Sequence, residues 1–147
     1  MAIVKGHRFE IPFEDAFPRG LVLVGDITPD VEYLSQEDRN RGREAKQNVD
    51  EQTGKRQWLG TVTDPDEPKA KRASFDVTLL ADVQPVPTTQ EVLPGMRSLV
   101  LEGVSVAPKI AGQGEFKYQS FAVFATGIAG QGNGAKAAPA RENKDQG

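Results

Sequence analysis

The 147 residues are a natural length for one domain, and a formal net charge of −3 gives no global positive field toward nucleic acid or an anionic membrane. The chain has no cysteine, which excludes disulfides, Cys-based zinc sites and thiol nucleophiles. No apolar run reaches the ~18 residues that span a bilayer, and the N-terminus lacks the apolar segment of a signal peptide. We therefore expect a cytoplasmic protein without a membrane partner.

The first half of the chain predicts two strands separated by a polar loop. Residues 21–28 are mostly apolar, which is typical of a strand buried on both faces, and Gly25 within them indicates a bulge. Residues 31–48 are polar and are interpreted as a long loop. Residues 55–63 then form the second arm of a hairpin.

The clearest strand signal lies in residues 73–84. Apolar side chains occupy alternate positions from Phe75 to Val83, and mostly polar ones fall between them. A period of two places the two sets on opposite faces of a pleated strand. The pattern predicts an antiparallel sheet with one face in solvent, and Pro85 and Pro87 end the strand because they cannot donate to a ladder.

Two more strands are predicted over 97–106 and 115–128, joined by the glycine-containing turn 111–114. Five strands without a long helix predict a mainly β fold, a small antiparallel barrel of OB type, with a small sandwich or another barrel as alternatives. Residues 1–128 form this domain. Residues 129–147 hold too little apolar surface to offset the entropy of ordering, so we expect a disordered tail.

Several short motifs follow one another along the predicted β-domain. In chain order they are Phe17-Pro18-Arg19-Gly20, Thr53-Gly54 followed by Trp58, Val83-Gln84-Pro85-Val86-Pro87, Glu102-Gly103-Val104 with Val106 and Pro108, and Ala125-Thr126-Gly127. Their order and spacing resemble those of the plasmid replication, integration and excision activators of actinobacterial plasmids and integrative elements. The resemblance implies a role in maintaining or activating a mobile DNA element, and it supplies no catalytic residues. The arginine-rich loop and the Gly/Ala/Lys tail depart from the family's pattern.

The sequence gives no sign of catalytic or metal chemistry. His7 is the only histidine, and it lies in a polar arm without the Ser and Asp arrangement of a catalytic triad. The acidic turn 64–67 lacks the glycine and the distal bidentate glutamate of a calcium loop. We therefore expect neither an enzyme nor a bound cofactor.

Aromatic side chains on the predicted strands and basic clusters near them indicate a candidate nucleic-acid-binding surface. Trp58 and Tyr118 each carry a polar group suited to a surface rim, so either could lie in the core or stack against bases. Phe75, Phe121 and Phe124 are expected in the core. The cations that would contact phosphates, or would otherwise be solvated loop residues, are Arg39, Arg41, Arg43, Lys55, Arg56, Lys69, Lys71, Arg72 and Lys117.

Two functions fit these features. The first is a DNA-associated accessory protein of a plasmid or integrative element that binds single-stranded DNA through an OB-like barrel, which requires a basic groove with exposed aromatic rings. The alternative is a regulatory module that recruits replication or transcription proteins of the same element without contacting DNA. That function requires an exposed apolar patch instead. A homo-oligomer is compatible with either function.

Overall fold

The computed structural model of the protein describes residues 1 and 3–130. Within them the strands are β1 (Phe9–Glu10), β2 (Leu21–Pro29), β3 (Gln57–Thr63), β4 (Ser74–Leu80), β5 (Glu91–Leu93), β6 (Met96–Leu99), β7 (Leu101–Glu102), β8 (Ser105–Ala111), β9 (Tyr118–Ala125) and β10 (Gly127–Ile128). The helical segments are α1 (Phe13–Ala16), α2 (Gln36–Asn40), α3 (Ala70–Ala73) and a 3₁₀ turn, Gly114–Phe116. The prediction of a mainly β fold is confirmed. In the described part of the chain, no helix has the length and apolar character needed to cross a membrane.

The main sheet has eight strands in the order β1-β8-β9-β4-β3-β2-β6-β5. Neighbouring strands run antiparallel except β4 and β9, which are parallel. Since its end strands β1 and β5 do not pair with each other, the sheet is open and mixed, and the expected closed antiparallel OB-like barrel is not formed. The β8–β9 hairpin lies between β4 and β1 and gives β4 its parallel neighbour, which makes the sheet mixed.

Strand β2 bends where the sequence predicts a bulge. Its register with β3 shifts between the pair Val24↔Thr61 and the pair Thr28↔Leu59, so β2 has two more residues than β3 over this stretch. Gly25 lies in the shift with φ +80°, a left-handed conformation that glycine adopts without a steric penalty. The expectation that this strand is buried on both faces is wrong, because Val24 is 40% exposed.

Strand β4 confirms the predicted alternation from Phe75 to Leu79, but the strand ends at Leu80 instead of continuing to residue 84, and Val83 is 55% exposed. Val77 and Leu79 are buried, and Phe75 packs against the same core. On the opposite face Asp76 is exposed and accepts a hydrogen bond from the Thr61 hydroxyl of β3 at 2.9 Å. Around Asp76 the β3–β4 pair therefore has the solvent-facing side that the sequence indicated, whereas Leu80 on the same face at the end of β4 is buried.

The C-terminal strands differ most from the prediction. The segment 97–106 is divided among β6, β7 and the start of β8, and the hairpin joins β8 to β9. The break between β7 and β8 lies at Gly103, which has φ +62°. A Cβ atom there would meet Thr126 Oγ1 at 2.1 Å. The Thr126 N–H also donates to the Glu102 carbonyl at 2.9 Å. A turn that only glycine can occupy thus interrupts the apolar run.

The core lies on one face of the main sheet, and residues of α1, β7 and β10 pack onto that face. Its buried members are Phe17, Leu21, Leu23, Ile27, Trp58, Val62, Val77, Leu79, Leu99, Leu101, Val104, Val123, Ala125 and Ile128. Removing these apolar side chains from water is the main favourable contribution to folding.

The two residues after the predicted domain boundary at residue 128 are hydrogen-bonded to the β-domain. The Ala129 N–H donates to the Val100 carbonyl at 2.9 Å, and the Thr88 hydroxyl donates to the Gly130 carbonyl. The rest of the segment expected to form a disordered tail, residues 131–147, lies outside the described residues.

Candidate nucleic-acid interface

The β8–β9 hairpin extends past the strands on either side of it. The two strands pair along the whole of β8. Strand β1 pairs with only the first two residues of β8, and β4 pairs with only Val123–Ala125 of β9. Residues 118–122 therefore continue for about 17 Å beyond the ladder with β4. We call residues 107–122 the outer hairpin.

Helix α3 lies beside the outer hairpin and brings two groups of predicted site residues together. The guanidinium carbon of Arg72 lies 3.9 Å from the centroid of the Tyr118 ring, over its face. Lys69 and Lys71 precede Arg72 in the same turn, and Lys117 precedes Tyr118. The contact between Arg72 and Tyr118 therefore brings two basic segments that are distant in sequence to the same end of the sheet.

The cations of this surface have no acidic partner among the residues that the structure describes. They are Lys69, Lys71, Arg72, Lys109 and Lys117. All five are exposed, and within 3–130 no carboxylate oxygen lies within 4.0 Å of their nitrogen atoms. Glu67, two residues before Lys69, accepts a hydrogen bond from the backbone N–H of Lys69, and Glu115, two residues before Lys117, makes no ion pair within the described residues. The five charges are therefore available to an anionic ligand without breaking an ion pair within this part of the chain.

Three aromatic rings are exposed on the same hairpin. Phe116 is 83% exposed, Phe121 49% and Tyr118 36%. The prediction that Phe121 lies in the core is wrong, because the core that covers Val123 on the same face of β9 does not extend to Phe121. Phe124 is partly buried, but under the Arg8 guanidinium at 4.0 Å and on the face opposite the core. We define the turn–hairpin surface as the five cations together with Tyr118. Phe116 lies next to it at the hairpin tip, and Phe121 lies on the opposite face of β9 from Tyr118, because successive side chains of a strand alternate between faces.

Trp58 does not belong to this surface. It is buried in the core, and its Nε1–H donates to the Ala81 carbonyl at 2.8 Å. The polar group that suggested a position at a rim is thus satisfied internally. Since neither ring face reaches solvent, the predicted stacking role for Trp58 is not supported by its position.

Lys55 and Arg56 are also separated from the turn–hairpin surface. They precede β3, whereas Thr63 at the other end of β3 pairs with Ser74, next to α3. The length of β3 places about 20 Å between the two ends. Lys55 Nζ lies 3.2 Å from a carboxylate oxygen of Asp82, so its charge is already partnered. The structure therefore does not unite these two cations with the others.

Arg39, Arg41 and Arg43, here called the loop arginines, follow β2 at the same remote end of the sheet. Arg41 is 2.6 Å from Glu37, and the guanidinium of Arg43 contacts two carboxylates, 3.1 and 3.2 Å away. Local acids thus compensate two of the three charges, which favours the interpretation of this segment as a solvated, self-paired loop.

Arg39 repeats the arrangement of Arg72 at this second location. Its guanidinium carbon lies 5.7 Å from the centroid of the Tyr33 ring, and Tyr33 is 85% exposed. Part of the predicted loop is helical here, because the Ser35 hydroxyl oxygen accepts the Asp38 N–H at 3.1 Å and caps α2. The looser Arg39–Tyr33 pair provides a natural control for the turn–hairpin surface.

A buried ion pair joins the N-terminal segment to the turn before β3. The Arg8 guanidinium donates two hydrogen bonds to the Asp50 carboxylate, and Thr53 donates to it from its N–H at 3.0 Å and its hydroxyl at 2.7 Å. The hydrogen bonds from Arg8 are the largest cause that lowers the pKa of Asp50 from 3.8 to about 2, against the raising effect of burial. A cleft of about 680 Å³ adjoins Arg8, whose charge is thus already engaged. We assign the pair a structural role.

Lys109 is the member of the turn–hairpin surface that the sequence interpretation did not assign, and Phe116 at the hairpin tip was not assigned either. Lys109 was not assigned to the site because the predicted strand ended at residue 106. Apolar residues nevertheless continue at alternate positions through Pro108 and Ile110. That alternation could have identified β8. The exposure of Phe121 depends on how far the core extends along β9, and no local sequence pattern indicates this.

Comparison of the chain with protein-family models, with curated proteins and with solved structures finds no match. The function proposed below therefore rests on the turn–hairpin surface, joined to the resemblance of the sequence motifs.

Proposed function

We propose that the protein binds single-stranded DNA through the turn–hairpin surface. The observation that carries the proposal is the Arg72 guanidinium 3.9 Å from the Tyr118 ring centroid, between two segments whose cations have no acidic partner among the described residues. Cations contact phosphates, and exposed rings stack on bases of any identity. This combination supports sequence-tolerant binding of unpaired strands.

The contact between Arg72 and Tyr118 supports unpaired rather than paired bases as the ligand. A guanidinium is planar, and its position over the ring indicates that a planar group fits on this face. A base that replaces it would leave Arg72 free to contact the adjoining phosphate. Bases within a duplex are stacked on each other and present no free face to such a ring.

The biological setting follows from the sequence motifs. In this proposal the protein is a cytoplasmic accessory factor of a plasmid or integrative element, as the resemblance to replication, integration and excision activators implies. Because the net charge is −3, the rest of the molecule would repel DNA, so we expect DNA to bind at the turn–hairpin surface.

Substitution of Tyr118 tests the proposal. Tyr118→Ala should weaken binding of a labelled single-stranded oligonucleotide by about 1–3 kcal/mol, the contribution of one base stack. Tyr33→Ala is the matched control, because Tyr33 also lies under an arginine but at the remote end of the sheet. Fluorescence anisotropy measures both. Equal losses for the two variants, or no loss for Tyr118→Ala, would contradict the assigned surface.

An exposed apolar row favours a second function, the recruitment of a replication or transcription protein of the same element. Val24 of β2 and Leu93 of β5 both pair with Met96 of β6, and both are exposed. Contiguous apolar side chains beside an edge strand are typical of protein-interaction sites. This function takes precedence if the wild-type protein binds no oligonucleotide at low salt.

A further inference from the structure

The tip of the outer hairpin is a closely folded turn. The β8–β9 ladder closes at the pair Ala111↔Tyr118, and residues 112–117 connect the strands. The 3₁₀ turn, Gly114–Phe116, fills this connection, and the Phe116 N–H donates to the Gln113 carbonyl at 2.9 Å. The tip thus has defined backbone structure of its own.

Gly112 fixes the position of Phe116 within the tip. Gly112 has φ +84°, and a Cβ atom there would lie 2.3 Å from the carbonyl oxygen of Phe116. Only a residue without a side chain allows the two backbone segments to approach this closely. Phe116 is therefore presented from a constrained backbone.

The Phe116 ring has no packing role that accounts for it. It is the most exposed phenylalanine of the described chain, with no aromatic or cationic partner there, whereas Phe13, Phe17 and Phe75 contact one another near the core. Phenylalanine has no polar group that would gain from solvent. An exposed apolar ring on a constrained backbone, at the tip of a hairpin that carries Lys109 and Lys117 together with Glu115, is suited to contact an apolar face of the ligand.

We propose that Phe116 stacks on the terminal base pair where a single strand meets a duplex, so that the preferred ligand is a single-strand/double-strand junction. The inference deepens the proposed function and depends on it. Phe116 and Tyr118 are two residues apart, at most ~7 Å along an extended chain, which is about two base steps of ~3.4 Å. The unpaired strand lies along Tyr118 and α3, Lys117 contacts the phosphate between, and Phe116 reaches the duplex end. Apolar side chains at such positions insert between or cap base steps in other DNA-binding proteins.

Binding to three DNA ligands tests the inference. They are a forked duplex with a single-stranded arm, a single strand of equal length and a blunt duplex, each measured by anisotropy, with 2-aminopurine at the junction as a reporter of stacking. The wild-type protein should bind the fork about tenfold more tightly than the single strand, the size of one added stack. Phe116→Ala should reduce fork affinity to that of the single strand and abolish the 2-aminopurine response. It should leave single-strand affinity within about twofold, because Tyr118 supplies that contact.

Two further variants distinguish the contribution of the Phe116 ring from a general disturbance of the hairpin. Ile110→Ala removes another exposed apolar side chain from the same hairpin and should change neither affinity. Gly112→Ala keeps the Phe116 ring but displaces its backbone, and it should also lose the fork preference while circular dichroism shows an unchanged sheet.

The outcomes distinguish the two proposals. A wild-type protein that binds single strands but shows no fork preference, or keeps it in Phe116→Ala, overturns the junction inference and leaves the proposed function standing. A wild-type protein that binds no single strand overturns the proposed function. Phe116-dependent binding to phosphatidylserine vesicles, with fork binding unchanged, would assign the tip to a membrane surface and overturn the inference.

Discussion

At the scale of single residues, the position of a side chain relative to its partners decides whether a charge is structural or free. Arg8 and Asp50 are both largely buried, and their hydrogen bonds satisfy the carboxylate together with Thr53. Arg72 has the same chemical group as Arg8, but it is exposed and lies over the Tyr118 ring. Within the described residues, no carboxylate forms an ion pair with Arg72. The first arginine therefore stabilises the fold, and the second is available to a ligand.

The Arg8–Asp50 pair makes the free energy of unfolding depend on pH in the acidic range. The pKa of Asp50 is about 2 in the folded protein and 3.8 in the unfolded chain, so the folded state favours the ionised form. Its contribution is complete above about pH 4 and is lost as the pH falls toward 2. The shift corresponds to about 2 kcal/mol. Urea unfolding at several pH values between about 2 and 7 measures the change.

Asp50→Asn should remove this part of the pH dependence and lower stability at neutral pH. Asp82→Asn is the control, because Asp82 pairs with Lys55 at an exposed site and should contribute little. An Asp50→Asn protein that keeps the wild-type dependence on acid would show that other carboxyl groups are responsible.

At the scale of elements, patterns that depend on neighbouring residues were predictable, and pairings between distant segments were not. The alternation of β4 was visible because burial on one face selects apolar side chains at every second position. The Gly25 bulge was visible because few other residues adopt its backbone conformation. The parallel β4–β9 pairing was not, since no short-range signal sets which distant strands become neighbours.

The same distinction between local patterns and long-range pairing applies to the candidate site. Arg72 and Tyr118 were both identified as candidates from residue type, but their contact depends on the path of β9 beside α3. The sequence left Trp58 open between core and surface because an indole N–H is equally satisfied by water or by a backbone carbonyl, and the structure buries it. Sequence patterns thus identified the chemical groups, and the tertiary pairing decided which of them share a surface.

Gly103 tests the explanation for the divided C-terminal strands. Gly103→Ala places a side chain on a left-handed backbone and brings its Cβ to 2.1 Å from Thr126 Oγ1. Gly20→Ala introduces a similar backbone penalty, φ +74°, but into open space. Urea unfolding should show that Gly103→Ala loses at least about 1 kcal/mol more than Gly20→Ala, because overpacking adds to the backbone cost.

A second substitution checks that the contact with Thr126 causes the extra loss of stability in Gly103→Ala. In a double-mutant cycle, Thr126→Ala should recover part of the stability that Gly103→Ala loses, since it removes the hydroxyl oxygen from the clash. Equal losses for the two glycine variants, or strictly additive effects in the cycle, would refute the steric explanation.

At the scale of the whole molecule, charges are arranged unevenly on a chain with a net charge of −3. At the end of the sheet near α2, Arg41, Arg43 and Lys55 are each paired with carboxylates. At the end near α3, the cations of the turn–hairpin surface have no such partner within the described residues. A protein that repels DNA on average can therefore attract it at one end, and that attraction weakens as salt screens it.

The salt dependence of single-strand binding tests this account most directly. Replacing Lys69, Lys71 and Arg72 together by glutamine should flatten the slope of log affinity against log salt by up to about two units, near 0.7 for each phosphate that the protein no longer neutralises. The same replacement of the loop arginines should leave the slope unchanged, because two of the three are already paired with acids. Equal flattening by both triple variants, or no binding by the wild-type protein even at low salt, would contradict a nucleic-acid-binding turn–hairpin surface.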